Sequence, residues 1–301
     1  MSAEYNFLDL VKATDDCVMM PCIYDCGSAL SAQLSGAKAI LLSGGELGES
    51  LGVLEPMLTT DEVVHAAERI CHFSQLPCLV DVGAGYDTPL NAFYTTERFV
   101  KAGAKGILLG NEHEDGWSEY SPILKATLKA VEGSDCIVVA RWNGYLETEE
   151  EMNECVDFLN KSIAEGAHAT MACGLCRSTR STELAKIIAD RVNGWKIYPD
   201  QNSINGIPDV DNDEIYSLGY KMISYHYMMK VALNAMWRYG IENMKNKNNV
   251  ASNEVSFPNG IKGHSALRIF PMQELLDLEA QFTGIHREFK VPGTTTGREN
   301  G

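Results

Sequence analysis

Between residues 17 and 225 the chain repeats one pattern, a short aliphatic and β-branched run followed by an amphipathic stretch, with the phase kept throughout. The runs fall at 17–23, 39–42, 78–82, 106–109, 136–140, 169–172, 195–198 and 222–225. Helical patterns lie between them at 27–35, 60–74, 95–102, 122–131, 147–164, 182–192 and 212–218. Several open on a helix-start signal, such as Thr59-Thr60-Asp61-Glu62 or Ser181-Thr182-Glu183, where a hydroxyl can accept from the first free amides. Strands that are apolar almost without interruption belong to a parallel sheet covered by helices, and eight is the number that closes such a sheet. The pattern therefore predicts an α/β fold, a (β/α)8 TIM-type barrel. A doubly wound open sheet is the alternative, but no GxGxxG follows the first strand, where a dinucleotide-binding sheet would carry it.

Beyond the eighth strand the pattern turns helical at 227–239, then polar at 243–258, and a last helix is expected at 271–281. The final residues, 291–301, have turn-forming composition and would be ordered only by a partner subunit. The domain reading is a barrel over 1–242, with 243–301 a polar linker, C-terminal helix and tail used in oligomerisation. Asp and Glu number 41 against 25 Lys and Arg, a formal charge of -16, and Lys and Arg form no run, which excludes nucleic acid and anionic membrane surfaces as partners. The first residues lack a basic and then apolar leader, and no stretch approaches the roughly 20 apolar residues of a membrane helix, so a cytoplasmic location is expected. Nine cysteines, several in apolar stretches, fit free thiols in a reducing compartment.

In a barrel, chemistry belongs to the loops after each strand. The first strand runs into Tyr24-Asp25-Cys26-Gly27-Ser28, with Tyr24 a candidate substrate contact. The second runs into Ser43, Gly44 and Gly45, whose amides and hydroxyl suit a carboxylate or phosphonate, although a tight turn reads equally well. The third ends at Asp81 ahead of Gly83 and Gly85, a natural place for a hard cation such as Mg2+ or for a turn cap. After the fourth come Asn111, Glu112, His113, Glu114 and Asp115, which offer metal ligands, a general base and a general acid, or simply a solvated acidic loop. Arg141 leaves the fifth strand, where a guanidinium is costly unless it meets an anion: a substrate carboxylate or phosphonate, or Asp81 or Glu112. Cys173 and Cys176 have redox spacing after the sixth, and with Cys22 and Cys26 a four-thiol cluster is conceivable. His226, ending the eighth strand, faces the mouth or is a satisfied structural histidine.

Taken in order, these strand ends resemble a family. Pro21 to Asp25, Ser28 to Ala32, Leu42-Ser43-Gly44, Leu51-Gly52-Val53, Leu76-Pro77 leading to Asp81, Gly85-Tyr86 and Val139-Ala140-Arg141 are similar to the isocitrate lyase/phosphoenolpyruvate mutase superfamily. Met272 to Leu275 and Leu278 to Phe282 resemble the end of its methylisocitrate lyase-like members, so the likeness spans roughly 15–285. It implies a (β/α)8 barrel with a C-terminal helical extension swapped onto a neighbour, in a homotetramer or homodimer. It also implies Mg2+ chemistry on a small anionic metabolite, through an enolate. By position, Ser43, Gly44 and Gly45 would bind the substrate carboxylate, Arg141 would clamp an anionic group, Asp81 would be the first acid of an Asp-x-Asp metal motif, and Glu55 a carboxylate near the metal. The departures are specific. The second Asp of the motif is Gly83, the Glu-Asp pair after the fourth strand is Gly110-Asn111, and the lyases' Lys-Lys-Cys-Gly-His loop has no counterpart before Lys125. The expectation is a lyase or decarboxylase of a 2-oxo or 2-hydroxy acid, with Mg2+ on Asp81 and Glu55, the substrate on Tyr24, Ser43–Gly45, Asp81, Asn111 and Arg141, and the proton moved by Glu112 or His113. Phosphonopyruvate mutase or hydrolase chemistry, or a metal-free anion-binding barrel, are the competing readings.

Overall fold

The computed structural model describes residues 5–83, 85, 87–111, 116–258 and 269–290. In chain order the elements are α1 (Phe7–Ala13), β1 (Val18–Ile23), α2 (Cys26–Leu34), β2 (Ile40–Leu42), α3 (Gly44–Leu51), α4 (Thr60–Phe73), β3 (Cys78–Asp81), α5 (Pro89–Ala102), β4 (Gly106–Gly110), α6 (Trp117–Val131), β5 (Ile137–Trp142), α7 (Glu149–Glu165), β6 (Ala169–Ala172), α8 (Ser181–Arg191) and β7 (Trp195–Tyr198). A small antiparallel pair, β8 (Ser203–Ile204) and β9 (Ile207–Pro208), precedes α9 (Asn212–Ser217) and β10 (Tyr220–Tyr225). The chain continues as α10 (Met228–Asn246), α11 (Val250–Asn253) and α12 (Met272–Thr283). It divides into two compact units, one ending at Met229 and the other starting at Lys230.

The eight long strands pair in parallel and close on themselves in the order β1-β10-β7-β6-β5-β4-β3-β2, the expected barrel. Alternation along each strand sends every second side chain inward. The inward column is Val18, Met20 and Cys22 on β1, Leu79 on β3, Leu108 on β4, Ile137 and Val139 on β5, and Met222 on β10, all buried together. The outward set, such as Ile23, Leu42, Val80, Ile107 and Val138, packs against the helices in a second cluster.

In the first unit two helices were not foreseen. The short α1, capped by Asn6, inserts Phe7, Leu10 and Val11 into the inner cluster and so plugs the N-terminal end of the barrel. Phe7 is fully buried, a gain of about 2–3 kcal/mol in transfer terms. Its ring edge lies 3.3 Å from where a Cβ on Gly106 would stand, and Leu79 closer still, so the plug and the barrel floor need glycine there. The other is α3, whose glycine-rich sequence reads as a turn but whose amides are capped by the Ser43 hydroxyl, which accepts from Glu46 N at 3.2 Å. In the second unit, α10 runs to Asn246 and α11 occupies Val250–Asn253, so part of the stretch expected to be a polar loop is helical. No helix of the described residues is long and apolar enough to cross a membrane.

Candidate active site

With α1 closing one end of the barrel, the strand C-termini form the open mouth, and each inward column continues into it by one residue. On β3 and β5 that next residue is charged. Arg141 Nη1 lies 2.5 Å from Asp81 Oδ2, and both side chains are about nine-tenths buried. The other Asp81 oxygen, Oδ1, accepts from Gly83 N at 3.0 Å, so the carboxylate is held by a turn on one side and a guanidinium on the other. Asp81 thus caps its turn and Arg141 meets an anion within the protein, both readings that the sequence left open. Asn111 joins the neighbouring strand ends: its N–H donates to Arg141 O at 3.1 Å and its Oδ1 accepts from Asn143 N at 2.7 Å.

The remaining expected residues spread out. Ser43 is buried and spends its hydroxyl on the α3 cap. The Glu55 carboxylate lies over the first turn of α3, so close that a Cβ on Gly44 would fall 2.5 Å from Oε1, and a negative group there is favoured by the helix N-terminus. Tyr24 lines a cleft between α2 and α4 with His65 and Arg69, and its phenol is pushed up by burial, then by Asp25 and Glu46. Glu112 and His113, with Glu114 and Asp115, lie outside the described residues.

This donor set does not fit Mg2+. A hard cation wants several oxygen ligands in an octahedron, whereas both oxygens of Asp81 are engaged, one of them by a cation, and the neighbouring rim positions are Gly83, Gly110 and Asn111. Among the described residues no group of three or more His, Cys, Asp or Glu is arranged to hold a metal ion. The conceived four-thiol cluster is likewise not among them. Cys173 and Cys176 sit in one tight turn, where the Cys176 thiol donates to Cys173 O, and burial raises both thiols.

On the opposite arc, β1, β7 and β10 are neighbours in the barrel. Here His226 Nδ1 stands 3.2 Å from Asp200 Oδ1, which also accepts from His226 N at 3.1 Å. The imidazole hydrogen-bonds the thiol of Cys22, the last inward residue of β1. Burial opposes a charge on His226, but hydrogen bonds to Asp200 and Cys22 outweigh it and push the group up to about 11. Beside them, burial raises Glu46 to about 6. Neither Asp200 nor Glu46 was singled out from sequence. The available signal was positional, since Asp200 follows β7 by two residues and Glu46 follows the Ser43 cap by three.

Comparison with known proteins adds the lineage. A family model described as phosphoenolpyruvate phosphomutase matches residues 7–244. The 2-methylisocitrate lyase of Halalkalibacterium halodurans is 22% identical over 231 residues, 73% of this chain and 74% of that one. The chloroplastic carboxyvinyl-carboxyphosphonate phosphorylmutase of Arabidopsis thaliana is 26% identical over 225 residues, 68% of this chain and 64% of that one. Among solved structures, a 2,3-dimethylmalate lyase described as a PEP mutase/isocitrate lyase superfamily member superposes with a TM-score of 0.78 at 22% identity, covering 92% of this chain and 99% of that one.

Proposed function

The chain belongs to the phosphoenolpyruvate phosphomutase family, and from that premise we propose that it is an enolate-forming lyase or decarboxylase acting on a small 2-oxo or 2-hydroxy carboxylic acid. Its relatives are lyases and mutases, which supports an enzyme. The observation that carries the reading is the buried Arg141 at the barrel mouth, anchored by Asp81. A guanidinium has five donors in a rigid fork, so one group can serve Asp81 and a substrate carboxylate together. Held in this way, the cation is in place before the reaction and stabilises the negative charge that moves onto the enolate oxygen as the C–C bond breaks. The Asn111 bridge between the ends of β4 and β5 keeps the strand that bears Arg141 in register.

The described donors do not form a site for a metal. Mg2+ remains part of the family resemblance alone. The proposal extends to a homotetramer or homodimer in the cytoplasm that takes a small anionic metabolite.

A second reading, P–C bond chemistry on phosphonopyruvate, is favoured by the family model itself, and a guanidinium grips a phosphonate as well as a carboxylate. One experiment separates the readings. The protein is incubated with oxaloacetate, 2-methylisocitrate or phosphonopyruvate, with Mg2+ and with chelator, and products are followed by proton and phosphorus NMR. Pyruvate from one of the first two supports the lyase, and a phosphoenolpyruvate phosphorus signal supports the mutase. Dicarboxylate binding by calorimetry, unchanged by chelator and without turnover, supports the anion-binding barrel. Turnover that survives R141A unaltered overturns the role of Arg141.

A further inference from the structure

The arc of the mouth across from Arg141 carries a cluster that the reading above leaves idle. Asp200 clamps His226 twice with one oxygen, through the backbone N–H at 3.1 Å and the ring Nδ1 at 3.2 Å, which fixes both the position and the orientation of the imidazole. Cys22 hydrogen-bonds the ring from β1. Glu46 reaches the cluster from the first turn of α3. The residue is more than nine-tenths buried, and its buried Oε2 has no hydrogen-bond partner among the described residues. A buried oxygen left unpaired costs about 1–3 kcal/mol, so a purely structural histidine pair has no use for it. A group that takes up and gives out a proton does.

Resting on the enolate reading, we infer that His226 is the proton donor to the enolate carbon, that Asp200 positions its ring, and that Glu46 restores the proton from water. In this step an imidazolium N–H bond breaks, and its proton joins the enolate's electron pair as the new C–H bond. The carbonyl re-forms, and the imidazole is left neutral. A water proton passed through the Glu46 carboxyl recharges it, so one solvent proton is consumed per turnover.

The groups facing His226 suit this cycle. Asp200 comes from the loop after β7, Glu46 from α3, Cys22 from β1 and Cys176 from the turn after β6. Burial keeps both thiols in the neutral form, so the charged neighbours of the imidazolium are the Asp200 carboxylate in contact with it and the Glu46 carboxyl nearby. Glu46, raised to about 6, exchanges protons with solvent near neutrality, where general acid–base catalysis works best. The arrangement also supplies a donor in a chain that lacks the lyases' Lys-Lys-Cys-Gly-His loop.

The test uses the whole 301-residue chain in three measurements: NMR titration of ring-labelled histidine, deuterium incorporation at C3 of pyruvate in heavy water, and calorimetric binding of oxalate, a planar mimic of the pyruvate enolate. In the wild-type protein the His226 signal, assigned with H226Q, is expected to stay that of an imidazolium at pH 8 and to titrate at lower pH in D200N. H226Q should lose deuterium incorporation roughly 100-fold or more while oxalate affinity stays within about threefold, a split that misfolding would not produce. E46Q should remove the limb of the exchange profile near pH 6. A wild-type His226 that titrates at the ordinary histidine value, or exchange that persists in H226Q, overturns the assignment to His226 and leaves the enolate reading standing. Wild-type protein that neither exchanges pyruvate nor binds oxalate overturns the enolate reading, and His226's role with it.

Discussion

Arg141 and Asp81 form a buried ion pair, and such pairs are felt most when one partner is removed, because the survivor is left charged and desolvated. R141A and D81A are each expected to cost about 3–5 kcal/mol in urea unfolding, with the double variant well short of the sum. Strict additivity would show that the two groups are not coupled. His226 makes a second prediction through linkage. Its folded value, about 11, lies above the ordinary 6.5, so its contribution to stability is full below pH 6.5 and is lost as pH rises toward 11. The difference in urea midpoint between wild type and H226Q should therefore be larger at pH 6 than at pH 10, and a difference that grows with pH would reverse the sign of the argument. Arg141 was legible in sequence because an arginine ending an apolar strand needs an anion wherever it folds. The His226 cluster was not, because Cys22, Glu46, Asp200 and His226 come from four separate segments and acquire meaning only when β1, β7 and β10 become neighbours.

Among the elements, α1 and α3 bound the site from opposite ends, and both escaped the reading of hydrophobic period. A helix of seven residues completes too few turns for the period to stand out, and α3 opens on two glycines that ordinarily argue for a turn. Tertiary placement makes both: Phe7 fills the barrel floor, and Ser43 caps a helix that starts directly after the end of β2. The strands were legible to within a residue or two, since an uninterrupted apolar run flanked by helical patterns has few other uses. Because stability and chemistry lie at opposite ends of a barrel, F7A is expected to cost about 3–5 kcal/mol by leaving a cavity in the plug, with oxalate affinity unchanged. A matched loss of binding would show that the floor and the mouth are mechanically coupled.

For the molecule as a whole, closure of eight strands was readable from the count alone, but the electrostatics of the mouth depend on which charges the closure pairs. The chain carries a net charge of -16, and its proposed substrate is an anion. Among the described residues of the mouth each cation is matched by an acid: Asp81 pairs with Arg141 and Asp200 with His226, with Glu46 in the neighbourhood of the second pair. Short-range capture is then left to directed hydrogen bonds, while the far field stays repulsive and slows approach. Salt shortens the reach of that field, from a Debye length of about 30 Å at 0.01 M to about 8 Å at 0.15 M. For a dianionic substrate, kcat/KM is accordingly expected to rise roughly two- to fivefold across that range, with kcat nearly constant, because the paired groups inside the mouth are screened far less. A neutral ester of the same acid should show no such rise in its binding rate. A fall in kcat/KM with salt would mean instead that cations at the rim draw the substrate in, and that the mouth's local field overrides the charge of the whole chain.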